Sequence, residues 1–285
     1  MAAIQSSLSR PSFRSNLRAL YMIAAKDWTQ YWRYPLNAVG FLLQPLVWIT
    51  PAFFMGQAFS VNGQAKGFAA YSGTGDFISF MLLGMVLSNF ITSVFWGIGY
   101  ALKDDMDSGV LESNWLTPTS RPILLIARTF SNMFTTLVIS AAMMVIAAAL
   151  FGFRPTGDAL LALVPVIPML VGLYGFGLAF AAVVLLMRDA NTLVDVGSFL
   201  VQLLSGAQFP IQALPRFMLP IALALPLTYG FDASRGILLK TNTVLPVRYE
   251  IGLLVVFMFV MIWVGLKVFN NMERKVRMKG TLGQH

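Results

Sequence analysis

Residues 77–102 read FISFMLLGMVLSNFITSVFWGIGYAL, 26 positions without a charged side chain. About 20 apolar residues carry an α-helix across the ~30 Å hydrocarbon core of a bilayer. A run this long points to a membrane rather than to a soluble core. The window is not isolated: charge-free stretches also cover 34–65, 129–153, 159–187, 196–215, 217–231 and 251–266. The whole chain of 285 residues is 57% hydrophobic and 11% charged, with mean hydropathy +0.72. Soluble domains carry roughly a quarter charged residues, so composition alone excludes that class. The expected fold is an all-α polytopic membrane protein, a single domain over 1–285.

Six of the windows read as transmembrane helices. The 16 residues of 251–266 are short for a crossing, but Val244, Leu245 and a snorkelling Lys267 extend them into the interfaces. The stretch 217–231 differs. It carries Pro220 and Pro226 just after Pro210 and Pro215, and a continuous helix loses a hydrogen bond at each internal proline. It is expected to form one or two short helices that dip back into the outer half of the membrane between spans five and six, as a re-entrant segment over 209–235.

Orientation follows from Lys and Arg. With the N-terminus inside, cytoplasmic segments hold 14 of the 20 basic residues and outer segments hold six, which places both termini in the cytoplasm. The formal net charge of +8 then reads as topology-setting charge facing anionic lipid, not as a nucleic-acid surface. Residues 14–34 space Leu17, Leu20, Tyr21, Ala24, Trp28, Tyr31 and Trp32 at helical intervals among charges. That pattern suits an interfacial elbow helix, either a plain juxtamembrane anchor or a cradle for a cytoplasmic partner. The first 33 residues contain no apolar core of signal-peptide length.

Several chemistries are missing. There is no cysteine, and the only histidine is His285, so thiolate and histidine metal sites are not expected. No GxxxxGK[ST] loop occurs, so any ATP hydrolysis belongs to another chain. The six windows contain no Asp, Glu or His, which disfavours an embedded hydrolase or a proton-driven carrier. Uncharged polar residues are scattered instead, among them Gln44, Asn89, Thr92, Ser93, Asn132, Gln202, Ser205 and Gln208. Gln44, Asn89, Gln202 and Gln208 are the candidates for lining a substrate pathway, against the plainer role of helix-packing hydrogen bonds.

Two segments carry a more specific pattern. Residues 103–128 read KDDMDSGVLESNWLTPTSRPILLIAR, a charged stretch expected to be either a short helix between two bends or a plain solvated loop. An acidic residue, a Gly four later, an apolar-Leu-Glu triplet and a Thr-Pro six residues beyond that Glu are Asp105, Gly109, Val110 to Glu112 and Thr117-Pro118. Residues 209–235 hold Phe209-Pro210-Ile211, Leu214-Pro215, Pro226-Leu227-Thr228-Tyr229, Asp232 and Arg235. At i and i+3, Asp232 and Arg235 are expected to pair on one helical face.

In both segments the sequence resembles the permeases of type 2 ABC exporters. It departs from their pattern at Asp105, where Glu is usual, and at Met106, Val110 and Asn114. The resemblance implies a transmembrane permease subunit of an ATP-driven exporter that moves an amphiphile such as a drug, lipid or lipid-linked glycan out of the cytoplasm or inner leaflet. It implies a bacterial-type plasma membrane, a second permease copy or related permease, and two separate ABC ATPase subunits that hold ATP and Mg, this chain binding no cofactor. A coupling loop over 104–121 would use Asp105, Gly109, Glu112, Trp115, Pro118 and Arg121. An outer gate would use Pro210, Pro215, Tyr229, Asp232 and Arg235. The alternative is a membrane scaffold or regulatory subunit that transports nothing.

Overall fold

The computed structural model describes residues 35–60, 65–100, 109, 121–153, 156–184, 187 and 190–279, together with 18, 21, 22, 25, 26, 28, 29 and 33 near the N-terminus. Among the described residues the fold is all helical, with no strand. Helix α1 spans Pro35–Phe59, and the short α2, Lys66–Ser72, stops at Gly73, whose positive φ of 74° suits a residue without a Cβ. Helix α3, Phe77–Val94, starts where Asp76 accepts a hydrogen bond from the Ser79 N–H at 3.0 Å, and it continues as a π-helical turn, Phe95–Tyr100. Then come α4 (Arg121–Phe151), α5 (Ala159–Val184), α6 (Asn191–Leu204), α7 (Leu219–Ala224), α8 (Pro226–Leu239) and α9 (Val247–Lys279).

Four segments are long and apolar enough to cross a membrane among the described residues: Phe77–Ile98, Arg128–Phe151, Ala159–Val184 and Val247–Met272. Helix α1, with 25 residues, has the length as well. The fifth window behaves differently from its sequence reading. Its helix begins earlier, at Asn191, and ends at Leu204, giving about 21 Å of helix at 1.5 Å per residue. Gly206 turns the chain with φ 69°, and Pro210 opens a 3-10 turn over Ile211–Ala213. The glycine and proline chemistry of 205–210 thus ends a helix that hydropathy alone carries on to Pro215.

The window 217–231 resolves into two helices. Leu225 breaks α7 from α8 in an extended conformation (φ −84°, ψ 117°), as the residue before Pro226 must. Side chains close the break. Thr228 Oγ1 donates to the Ala222 carbonyl at 2.6 Å and Tyr229 OH to the Leu223 carbonyl at 2.8 Å, satisfying acceptors that the end of α7 leaves open.

Helix α5 lies at the centre, packed on α9, α8 and the π-helical turn, while α3 packs on α4 and α1 joins both. Lipid tails give helices no hydrophobic reason to associate, so close van der Waals packing must hold them. The α5–α9 contact uses bare backbone: a Cβ on Gly175 would strike Met261 and Ile262, and one on Gly265 would strike the Gly175 carbonyl. In the N-terminal segment the described residues are helical, and the Trp28 ring meets Phe134 of α4 edge-to-face with centroids 5.4 Å apart.

Candidate functional site

Two clusters of polar side chains stand inside the helix bundle. The first is uncharged and joins α3 to α4. Asn89 and Ser93 are four apart on α3, and Asn132, Thr136 and Ser140 are four apart on α4, so each set shares one helix face. Asn89 Nδ2 donates to Ser140 Oγ at 3.3 Å, and Ser93 Oγ donates to Asn132 Oδ1 at 2.6 Å. The Ser93 and Thr136 hydroxyls are 2.5 Å apart, and Tyr174 of α5 donates to Asn132 Oδ1 at 3.3 Å. Asn132 is therefore the hub of three helices. A Cβ on Gly97, in the π-helical turn, would collide with the Asn132 side chain. At the edge of this seam, Gln202 Nε2 of α6 donates to Thr92 Oγ1 at 3.2 Å, and Thr92 is exposed on the protein surface.

The second cluster is charged and sits where α8 turns into α9. Arg235, only 3% exposed, spreads its guanidinium over backbone carbonyls: Nη1 donates to Gly206 at 2.6 Å, and Nη2 to Ala207 at 2.5 Å and Phe80 at 3.3 Å. Its carbon lies 3.6 Å from the centroid of the Phe80 ring. The Gly206 and Ala207 carbonyls belong to the turn that ends α6. An arginine fork therefore caps that turn and ties it to α3. Gly84 makes the approach possible, because a Cβ there would fall on the Ala207 carbonyl and the Arg235 guanidinium. Asp232 Oδ2 accepts from the Val244 N–H at 2.6 Å, and Glu250 Oε1 accepts from the Leu245 N–H at 3.1 Å.

This differs from the sequence reading in two ways. The hydrogen bonds of Arg235 go to carbonyls and not to Asp232, because the folded chain brings three better-placed acceptors within reach of the fork. Both side chains instead line a cavity of about 10 Å³, room for a single water, together with Ser72, Phe80, Thr228 and Thr241. Carboxylates also lie inside helices that the windows excluded. Helix α9 begins at Val247 and takes in Glu250, which is 0% exposed, and α6 takes in Asp195. A window drawn to stop at charges cannot find a charge that tertiary packing buries.

The remaining predicted residues divide as follows. Asp105, Glu112, Trp115 and Pro118 lie outside the described residues. Gly109 is described and has φ 67°, a turn conformation, and Arg121 opens α4, its side chain outside the described set. Gln44 lies in α1, its side chain likewise outside that set, while Gln208 is exposed in the turn after α6. Pro210 is buried at the head of the 3-10 turn, and the Pro215 carbonyl accepts from the Met218 N–H at 2.9 Å and the Leu219 N–H at 3.2 Å. Sequence reasoning missed Thr136, Tyr174 and Glu250. The four-residue spacing from Asn132 to Thr136 to Ser140 was the signal available for the first.

Residues 18–239 match the family model described as ABC-2 type transporter. The chain belongs to the ABC-2 type transporter family. No curated protein matches the sequence at a significant level. An ABC-2 membrane domain is a permease and not a catalytic ATPase domain, and such permeases pair with ABC ATPase subunits. The chain is accordingly a multi-pass membrane permease. The match takes in the uncharged seam, Arg235 and Asp232, and it ends before α9 and Glu250.

Proposed function

We propose that this permease is the membrane half of an ATP-driven exporter, working as a pair of permease chains above two ATPase subunits and moving an amphiphile outward. The observation that carries the reading is the Gln202–Thr92 pair. It places hydrogen-bonding groups on the protein surface beside exposed Phe199 and Leu200 of α6. Lipid gains nothing from such a pair, whereas an amphiphile in a cleft between two protomers meets both polar and apolar contacts there.

In this reading the chain crosses the membrane six times with both termini in the cytoplasm of a bacterial-type plasma membrane. Residues 14–34 form the interfacial elbow, 104–121 the coupling loop and 209–235 the re-entrant outer gate. The coupling loop connects the π-helical turn, Phe95–Tyr100, to the head of α4, Arg121–Phe151, and the uncharged seam bolts α3 to α4. A push from a closing ATPase dimer on that loop moves α3 and α4 as one body and carries Thr92 with them.

The test is to purify the full chain gently from its own membrane and identify what accompanies it. A roughly stoichiometric ATP-hydrolysing partner, with ATP-dependent movement of an amphiphilic dye in proteoliposomes, is the expected result. Reproducible purification without any such partner, under conditions that preserve other membrane complexes, would overturn the exporter reading in favour of a scaffold.

A further inference from the structure

Helix α6 carries a carboxylate on the side that the bundle leaves open. Val194 and Ser198 are buried, while Asp195, Val196, Phe199 and Leu200 are exposed. At 100° per residue Asp195, Phe199 and Gln202 fall within about 60° of one another, so a carboxylate, an aromatic ring and an amide follow each other along one face over about 10 Å. Two contacts fix how that face lies against α3. Gln202 bonds to Thr92, and a Cβ on Gly197 would strike the Phe95 ring. Numbers that fall along α6 rise along α3, so the two helices are antiparallel and Asp195 stands level with the π-helical turn, Phe95–Tyr100. No Lys or Arg occurs in α3, in that turn, in α5 or in α6. The Asp195 carboxylate makes no ion pair or hydrogen bond with the described residues, and Lys103 and Arg188, the cations nearest in sequence to the turn and to α6, lie outside them. An exposed charge among apolar neighbours on a membrane helix is costly unless something of opposite charge meets it.

We propose that Asp195, with Phe199 and the Gln202–Thr92 pair, forms a binding site for a cationic amphiphile, an organic ammonium carried on an apolar body. The site rests on the exporter reading for its place in transport, and it narrows the amphiphile to one charge class. The carboxylate attracts the ammonium directly, and the Phe199 ring, 61% exposed and one turn away, attracts it through its π face. Val196 and Leu200 offer apolar contact beside them, and the amide and hydroxyl one turn further on receive any neutral polar group. An anionic amphiphile would set its charge against Asp195 with no Lys or Arg on the packed helices to receive it. The ammonium of a zwitterionic phospholipid is tied to a phosphate and brings the same repulsion. With the N-terminus of α6 towards the cytoplasm, a cation arriving from the inner leaflet meets Asp195 first and the Gln202–Thr92 pair second.

The experiment measures binding of three probes that share one apolar body: trimethylammonium-diphenylhexatriene, uncharged diphenylhexatriene and diphenylhexatriene propionate. Each is titrated into the full-length chain in phosphatidylcholine nanodiscs, and saturable energy transfer from the protein's tryptophans is read above that of empty nanodiscs. The wild type is expected to bind the ammonium probe about tenfold more tightly than either of the others, the combined effect of one exposed ion pair and one cation–π contact. Asp195→Asn is expected to abolish that preference, Asp195→Glu to keep it, and Phe199→Leu to reduce it about threefold. Equal binding of the three probes by the wild type, tighter binding of the propionate, or an unchanged preference in Asp195→Asn overturns the proposal. If Asp195→Asn does not fold, Phe199→Leu decides: a reduced preference supports the site and an unchanged one overturns it. The binding step needs no ATP, so the two readings fail separately. A chain that purifies without an ATPase yet prefers the ammonium probe keeps the site and loses the exporter, and a chain that brings an ATPase but shows no preference does the reverse.

Discussion

The α3–α4 seam and the α8–α9 corner both put polar groups inside an apolar bundle, yet they are built from opposite chemistry. The seam uses hydroxyls and amides that bond one another: Asn89 with Ser140, Ser93 with Asn132 and Thr136, Tyr174 with Asn132. Side-chain hydrogen bonds between membrane helices contribute about 0.6 kcal/mol each on average, and a hydroxyl that loses one partner finds another a turn away. The corner uses full charges, and these bond mostly to backbone: Arg235 to three carbonyls, Asp232 and Glu250 to two N–H groups. A buried charge stripped of its partners costs several kcal/mol. The seam therefore joins α3 to α4 through several weak bonds, and the corner is held by a few bonds that are each costly to lose.

That contrast can be broken at its strongest point first. Arg235→Leu removes the fork that caps the α6 turn and leaves Asp232 and Glu250 without a neutralising charge, so a loss of about 3–5 kcal/mol is expected. Thermal unfolding in detergent should show little or no folded protein, and Arg235→Lys should not rescue it, because an ammonium cannot span carbonyls placed for a planar fork. Recovery of wild-type stability in Arg235→Lys would reduce the clamp to a point charge. Next in size, Gly84→Ala drives a methyl group into the Ala207 carbonyl and the guanidinium. Overpacking of this kind costs about 1–3 kcal/mol, to be read as a lower melting temperature.

Asn132→Leu tests the seam. It removes two bonds to Oδ1, and a loss of about 1 kcal/mol is expected with the fold intact. ATP-driven transport should fall further than stability does, if α3 and α4 move as one body. A variant with full transport would leave the seam a packing feature only. Tyr229→Phe deletes the bond to the Leu223 carbonyl and should cost about 1 kcal/mol, measured as easier proteolysis between α7 and α8. The smallest expected effect on stability belongs to the exposed pair: Thr92→Val with Gln202→Leu should cost under about 1 kcal/mol. Its signature should be altered rate or selectivity for amphiphilic substrates in proteoliposomes.

Part of this architecture is legible in the sequence alone. The break before Pro226 and the two short helices around it follow from proline chemistry, and the starts of α3 and α5 sit at Asp76 and Asp158, the charges that bounded their windows. The α6 turn was harder, because Gly206 sits in an apolar stretch where hydropathy sees no boundary. The candidate site was half legible. Asn89, Gln202, Tyr229, Asp232 and Arg235 could be picked out as polar residues in apolar company, but their partners could not. Arg235 and Asp232 are neighbours on one helix turn, and local spacing gave them to each other. The fold instead gave Arg235 the carbonyls of residues 80, 206 and 207 and gave Asp232 the turn at Val244.

What the sequence by itself determined is the class of the molecule and the order of its parts. Long charge-free windows require helices in a membrane, because a chain in hydrocarbon must satisfy its backbone internally. Two spaced motifs point to the permease family that residues 18–239 match. Only the tertiary structure decided where the charges go. Whether Glu250 is a solvated residue at a helix end or a buried carboxyl group depends on which backbone closes over it, and that closure joins α8, α9 and the turn between them. Hydropathy assigns each residue an environment from its neighbours in sequence, whereas the environment of a buried charge is set by atoms up to 155 residues away, as between Arg235 and Phe80.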